Sequence, residues 1–248
     1  TDSNAEELRK MFIRKVGNVP KNVTILPWFS FLLHHGVRPY QGTMDSSLAD
    51  IKMGFYLQQG KSGQRYINSA GQPVYWGEDN FKEFYFTPDY KIYSDKISKF
   101  IHTCNKKKAA GEIIGRITRI FRNIYIDEVQ DLAGWDLELV LLLFKSDASV
   151  TLVGDPRQTI YSTNDGGKHK GYRNGKINEF LKEKGGKRLK YDENTTTLRK
   201  SHRNNQIIAT YLAWGRDFTL LLDGDKAGVD AKKRYIKEFG PIVEDQII

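Results

Sequence analysis

The chain has 248 residues, with 39 Lys and Arg against 30 Asp and Glu, a formal net charge of +9. With 39% apolar and 12% aromatic residues it holds enough hydrophobic material for one large domain or two small ones, which excludes a mainly disordered chain. One cysteine, Cys104, excludes a disulfide scaffold and a Cys-based zinc cluster within the chain. No apolar run approaches the roughly 20 residues of a membrane span. The opening residues, Thr1 to Glu7, lack the basic and apolar regions of a signal peptide, so a cytoplasmic protein without a membrane partner is expected.

In chain order, Ser3 and Glu6 have the spacing of a capping box, and Leu8, Met11 and Phe12 follow on one helical face until Gly17 and Pro20. Val23 to Leu26 reads as a short strand. Pro27 then precedes an aromatic stretch, Trp28 to Leu33, that ends at His34-His35-Gly36. Between about 41 and 111 the pattern weakens into scattered Tyr, Gly, Asn and Lys with clusters such as Phe81 to Phe86, which reads as an inserted subdomain. The order sharpens at Ile113 to Ile120, apolar at helical spacing, and at Ile124-Tyr125-Ile126, a short buried strand that ends in Asp127-Glu128. Leu137, Val140, Leu141 and Phe144 mark the next helix. A second buried strand, Val150 to Val153, ends in Gly154-Asp155. Strand, helix, strand with acids at both strand ends predicts a parallel α/β sheet whose ligand sits at the carboxyl ends of the strands. Beyond it come a polar loop, a helix over 204–212, a strand over 218–222 and a helix from about Val229 to Gly240-Pro241.

The positive charge is concentrated. From Arg157 to Lys190 there are ten Lys and Arg and three Asp and Glu, a local +7, in a stretch that includes Lys168, Lys170 and Arg173. Phosphates of nucleic acid suit such a strip, and a solvated basic loop that binds nothing is the alternative. The Asp127-Glu128 pair has its own chemistry. Adjacent carboxylates at a strand end point to different sides, so one can hold Mg²⁺, directly or through waters, while the next polarises an attacking water.

Asp127-Glu128-Val129-Gln130-Asp131 resembles the Walker B motif of the UvrD/Rep-like superfamily 1 DNA helicases, and Val153-Gly154-Asp155-Pro156-Arg157-Gln158-Thr159-Ile160-Tyr161 resembles that family's next motif. Thr1 to Glu7, with Asn4, is similar to a segment that follows the nucleotide loop and touches single-stranded DNA. Thr24 to Phe31 stands where the family has its Thr-Phe-His-like segment, and Leu198-Arg199-Lys200-Ser201-His202-Arg203 resembles Leu-x-x-Asn-Tyr-Arg. The resemblance implies a RecA-like P-loop NTPase sheet flanked by helices, with ATP and Mg²⁺ as cofactors and single-stranded DNA as partner. It implies that Asp127 coordinates Mg²⁺, Glu128 activates water, Gln130 and Gln158 sense the γ-phosphate, and Arg203 acts as an arginine finger. His202 stands at the adenine-stacking position, in place of the usual Tyr, and Ser201 in place of Asn. Trp28, Phe29 and Tyr161 are candidates to stack on bases, with core packing as the alternative for the first two.

Two features depart from that pattern. No Gly-x-x-x-x-Gly-Lys-Ser/Thr loop occurs in the 248 residues: Gly54 and Gly60-Lys61-Ser62 are one residue too far apart, and they follow the Asn4 segment where the family's loop precedes it. The chain therefore reads as a piece that begins after that loop, with poor ATP binding by these residues alone. The end also changes character. Phe218 to Gly228 resembles the Asp-x-Asp part of a TOPRIM nuclease, in which Asp223 and Asp225 would share a metal, although a polar strand-to-helix turn fits the same residues. Together these likenesses resemble antiphage systems of the Gabija type, which pair a UvrD-like helicase with an OLD-family ATPase-TOPRIM nuclease. The expected organisation is a first part of the RecA-like lobe over 1–40, the insertion over 41–111, the remainder with the motor motifs over 112–194, the start of a second lobe over 195–213, and a TOPRIM-like or unassigned segment over 214–248. A Mg²⁺-dependent nuclease component and a non-hydrolysing nucleic-acid-binding module are the rival readings.

Overall fold

The computed structural model describes residues 2–155, 162–163, 166–187 and 189–194. The chain divides into two compact units, Thr1–Lys190 and Tyr191–Ile248, and only 191–194 of the second are described. The helix, strand and helix expected beyond 204 lie outside the described residues, as do Gln158, Tyr161, His202, Arg203, Asp223 and Asp225.

The first helix, α1, runs Asp2–Val16, so Ser3, read as its cap, lies within the helix. Glu6 pairs with Arg9 one turn on, at 3.5 Å. Gly17 follows with φ +86, and its N–H is donated to the Ile13 carbonyl, a left-handed stop that a side chain would strain. The apolar face of α1 is largely open: Ala5 is buried, but Leu8 and Met11 are exposed. Val23 to Leu26 is not a strand. Val23 donates back to the Pro20 carbonyl in a turn, and the Arg9 guanidinium takes the Ile25 carbonyl at 2.6 Å, an acceptor that a ladder would have used. Pro27 caps α2, Trp28–Leu32, and a π-helical turn Leu33–Val37, a 3₁₀ turn Arg38–Tyr40, α3 at Gln41–Met44 and a 3₁₀ turn Ser46–Leu48 follow.

Next come β1 (Gly54–Tyr56), β2 (Gln64–Ile67), β3 (Pro73–Tyr75), α4 (Phe81–Tyr85) and β4 (Lys91–Tyr93). The central helix α5, Ser94–Lys107, carries Ile97, Phe100, Ile101 and Cys104 at i, i+3, i+4 and i+7, and all four are fully buried. It packs against α2, α4, α6 (Glu112–Ile120) and α7 (Trp135–Phe144). Gly36 lets the π-helical turn close on α5: a Cβ there would lie 2.4 Å from Ile101 Cδ1. Phe100 also meets Phe81, Tyr85 and Phe86, with ring centroids 5.4 to 6.4 Å apart.

Between α6 and α7 lies β5, Asn123–Ile126; β6, Ser149–Leu152, follows α7, and α8, Ile177–Lys184, comes last. β5 and β6 pair in parallel, Asn123 with Ser149 through Ile126 with Leu152. β1 and β4 are also parallel, while β2 and β3 form an antiparallel hairpin. The expected parallel α/β arrangement is thus present in small pieces: among the described residues there are three two-stranded sheets and no single larger one. Neither β5 nor β6 is buried on both faces, contrary to the sequence reading. Ile124 and Ile126 face the core, while Tyr125 is 75% exposed and Val153, just past β6, is 37% exposed. No helix among the described residues is long and apolar enough to cross a membrane.

Candidate nucleotide site at the ends of two parallel strands

β5 delivers Asp127 and Glu128 to its carboxyl end, where both are exposed. The ladder continues past the strands: Val153 donates to the Ile126 carbonyl at 2.9 Å, and Val129 donates to the Val153 carbonyl at 3.1 Å. That pairing holds the two motif segments side by side. Glu128 has φ 54 and ψ 39, a left-handed conformation in which a non-glycine residue is strained. Its own N–H is donated to Asp127 Oδ1 at 2.9 Å, a local bond that fixes the turn between the two acids.

Gln130 joins the two strand ends. It is buried, with its Nε2 donating to Glu128 Oε2 at 2.5 Å and its Oε1 accepting the Asp155 N–H at 3.1 Å. Gly154 makes room for this: a Cβ there would lie 2.4 Å from Gln130 Oε1 and 3.1 Å from the Val129 nitrogen. The glycine of the Gly-Asp pair is thus required by close approach, since its φ is not left-handed. Burial raises the Asp131 carboxyl above its usual range, and the neighbouring Glu128 charge raises it further. Behind the turn, the Asp131 carbonyl accepts from Thr163 N–H at 2.8 Å, and Thr163 Oγ1 accepts from Ala133 N–H at 3.0 Å.

A second constellation underlies the site. Asp136 in the first turn of α7 is 2% exposed; it accepts Trp28 Nε1–H at 2.9 Å and the Ser98 hydroxyl. Burial raises its pKa above the carboxylate range, against the opposing pull of hydrogen bonds from Ser98, Thr163 and Trp28. Nothing local in the sequence distinguishes Asp136 from a surface acid at a helix start.

The remaining described candidates are dispersed. Asn4 is exposed on α1. Trp28 is half-buried and stacked on Phe31 at 6.0 Å, and Phe29 is half-buried against Phe55 at 6.1 Å. Lys168 lies 3.1 Å from Glu138 Oε1 and over the Trp135 ring at 4.7 Å. The same Glu138 oxygen takes His169 Nε2 at 2.7 Å. Burial pushes the Glu138 carboxyl up, but the His169 and Lys168 contacts outweigh it and hold the group below its usual value. Arg173 donates to the Gly166 carbonyl at 2.6 Å, while Lys170 sits exposed in a 3₁₀ turn, Lys170–Tyr172.

Asp127 and Glu128 are exposed carboxylates at a strand end, a ligand type that can hold Mg²⁺ together with phosphate oxygens and water. Among the described residues no group of three or more His, Cys, Asp or Glu could hold a metal, and Mg²⁺ in such sites is commonly held by one or two carboxylates plus phosphate oxygens and water. Residues 80–186 match the family model of the UvrD/REP helicase N-terminal domain. The UvrD/REP match contains β5, β6, Gln130, Gly154 and the basic strip as far as residue 186, short of Lys187 and Lys190, and supports a helicase-type enzyme with a nucleotide- and DNA-binding function. Asn4, Trp28, Phe29, His202, Arg203, Asp223 and Asp225 lie outside the matched residues. No curated protein and no solved structure matches the chain.

Proposed function

We propose that this chain carries the strand-end half of an ATP-hydrolysing motor that moves on single-stranded DNA. The observation that supports it most is the Asp127-Glu128 pair, exposed at the carboxyl end of parallel β5 and bridged by buried Gln130 to the backbone at the end of β6, inside the UvrD/REP match. Asp127 would hold Mg²⁺, which supplies charge neutralisation at the transferring phosphoryl group. Glu128 accepts the proton of the attacking water. Gln130 fixes the Glu128 carboxylate, and its link to Asp155 N–H makes the strand ends one unit. Gln158 would contact the γ-phosphate, His202 the adenine, and Arg203 the charge that develops in transfer. A phosphate loop, absent from these 248 residues, would complete the nucleotide site. Asn4, Trp28, Phe29, Tyr161, Lys168, Lys170 and Arg173 are the proposed strand contacts. The resemblance to Gabija-type systems makes an OLD-family ATPase-TOPRIM nuclease the proposed protein partner, and antiphage defence or DNA repair the proposed setting.

DNA-stimulated phosphate release, measured with the chain fused to a phosphate loop, tests this reading. Glu128→Gln is expected to lower turnover by about 100-fold or more while nucleotide binding persists. Turnover equal to that of the unaltered protein contradicts the assignment.

A further inference from the structure

The hairpin formed by β2 and β3 plays no part in the nucleotide site, and it buries little of itself: all four residues of β2 are exposed, with Tyr66 at 51% and Ile67 at 63%. A two-stranded hairpin is marginal in water without outside support. Here the support is at both ends. At the base, Ser62 and Gly63 are buried; the Ser62 N–H points to Asp95 Oδ2 at 3.3 Å, and that same oxygen meets Lys96 Nζ at 2.6 Å in a buried ion pair. The Gly63 carbonyl accepts from Trp76 N–H at 2.8 Å, and a Cβ at this residue would lie 3.2 Å from the Glu83 carbonyl. At the tip, Asn68 Oδ1 accepts from Ala70 N–H at 3.0 Å and Gln72 N–H at 2.8 Å, which closes the turn.

The anchored ribbon presents cations and rings together. Lys61 Nζ lies 4.0 Å from the centre of the Tyr75 ring, and the Arg65 guanidinium lies 4.3 Å from the Trp76 ring and 5.8 Å from Tyr66. From residue 51 to 77 the sequence has three cations, Lys52, Lys61 and Arg65, and no Asp or Glu. All three are exposed. The stretch's own charge attracts a polyanion; Asp50 and the Glu78-Asp79 pair flank it, and Lys99 engages Glu78 at 2.7 Å. The exposed Tyr66 ring, beside Arg65 and near Lys61, suits an unstacked base with its phosphates, whereas a paired duplex keeps its base faces covered; Tyr75 and Trp76 are half-buried under the cations.

We propose that the hairpin over residues 61–76 is a binding surface for single-stranded nucleic acid, with Tyr66 stacking on a base and Lys61 and Arg65 on the flanking phosphates. This extends the nucleic-acid part of the function proposed above and is independent of its nucleotide chemistry, so the two can fail separately. The test is the affinity of the 248-residue chain for a fluorescent oligothymidylate and for a duplex of equal length, across a series of salt concentrations. Tyr66→Ala is expected to weaken oligothymidylate binding about fivefold to a hundredfold, and Tyr66→Phe to restore it. Lys61→Ala with Arg65→Ala should flatten the log–log salt dependence by about 0.7 for each cation lost. The proposal is overturned by any of these outcomes: no binding by the unaltered chain, a tighter complex with the duplex, Tyr66→Phe as weak as Tyr66→Ala, or variants within twofold of the unaltered chain with an unchanged salt slope.

Discussion

The helical core around α5 and the paired ends of β5 and β6 are held by different means. In the core, Ile97, Phe100, Ile101 and Cys104 are fully buried, and shape alone accounts for their residue types. At the strand ends the acids are exposed, Glu128 sits in a left-handed conformation, one sheet face is open at Tyr125, and a glutamine side chain rather than packing fixes the geometry. The first region accounts for why the chain folds. The second costs backbone strain and exposed carboxylates that folding does not require, which is where chemistry is to be sought.

Substitutions can sharpen or break that contrast. The largest effect on stability belongs to the core: Phe100→Ala is expected to cost about 3–5 kcal/mol in denaturant unfolding, because a fully buried ring that meets three other rings leaves a cavity. Gly154→Ala should cost less, roughly 1–3 kcal/mol, but should also reduce turnover, because the new Cβ displaces Gln130 from Glu128. Retained turnover in that variant would break the distinction between the two regions. Trp28→Phe removes the indole donor to buried Asp136 and should destabilise by about 1–3 kcal/mol in thermal or denaturant melts.

The smallest expected effect is on pH. Burial lowers the pKa of His35, beside Arg116, and of His102 below 6.5, so both are favoured neutral in the fold. Between those lowered values and 6.5 the unfolded chain binds more protons, so stability should fall as pH drops below about 6.5. Glu138 acts in a lower window: its depressed pKa gives stability above 4.5 that disappears as pH falls through the folded value. Melting temperatures of the unaltered chain and of His102→Gln across this range check the histidine part, and the variant should respond less steeply.

The strand-end acids were legible in the sequence because a short apolar run that stops at Asp-Glu is a local signal. The one-sided burial of β5 was not, since Tyr125 between two isoleucines has the composition of a fully covered strand. The α5 pattern was present at Ile97, Phe100, Ile101 and Cys104, yet scattered Tyr, Gly and Lys before it obscured the change of period. The UvrD/REP match begins at residue 80, inside the stretch read as an insertion, and takes in all of α5. By its motif alone Gln130 reads as a phosphate sensor. Its bond to the Asp155 N–H depends on a residue 25 positions away and on the missing Cβ of Gly154, relations that no local spacing expresses.

The central claim is that Gln130 acts through Glu128, so that the two strand ends form one hydrolytic unit. A double-mutant cycle on DNA-stimulated ATP hydrolysis, with Glu128→Gln, Gln130→Ala and the pair in the chain fused to a phosphate loop, tests it most directly. Gln130→Ala is predicted to slow turnover in the unaltered background and to add little once Glu128 is replaced. Equal losses in both backgrounds would contradict the account.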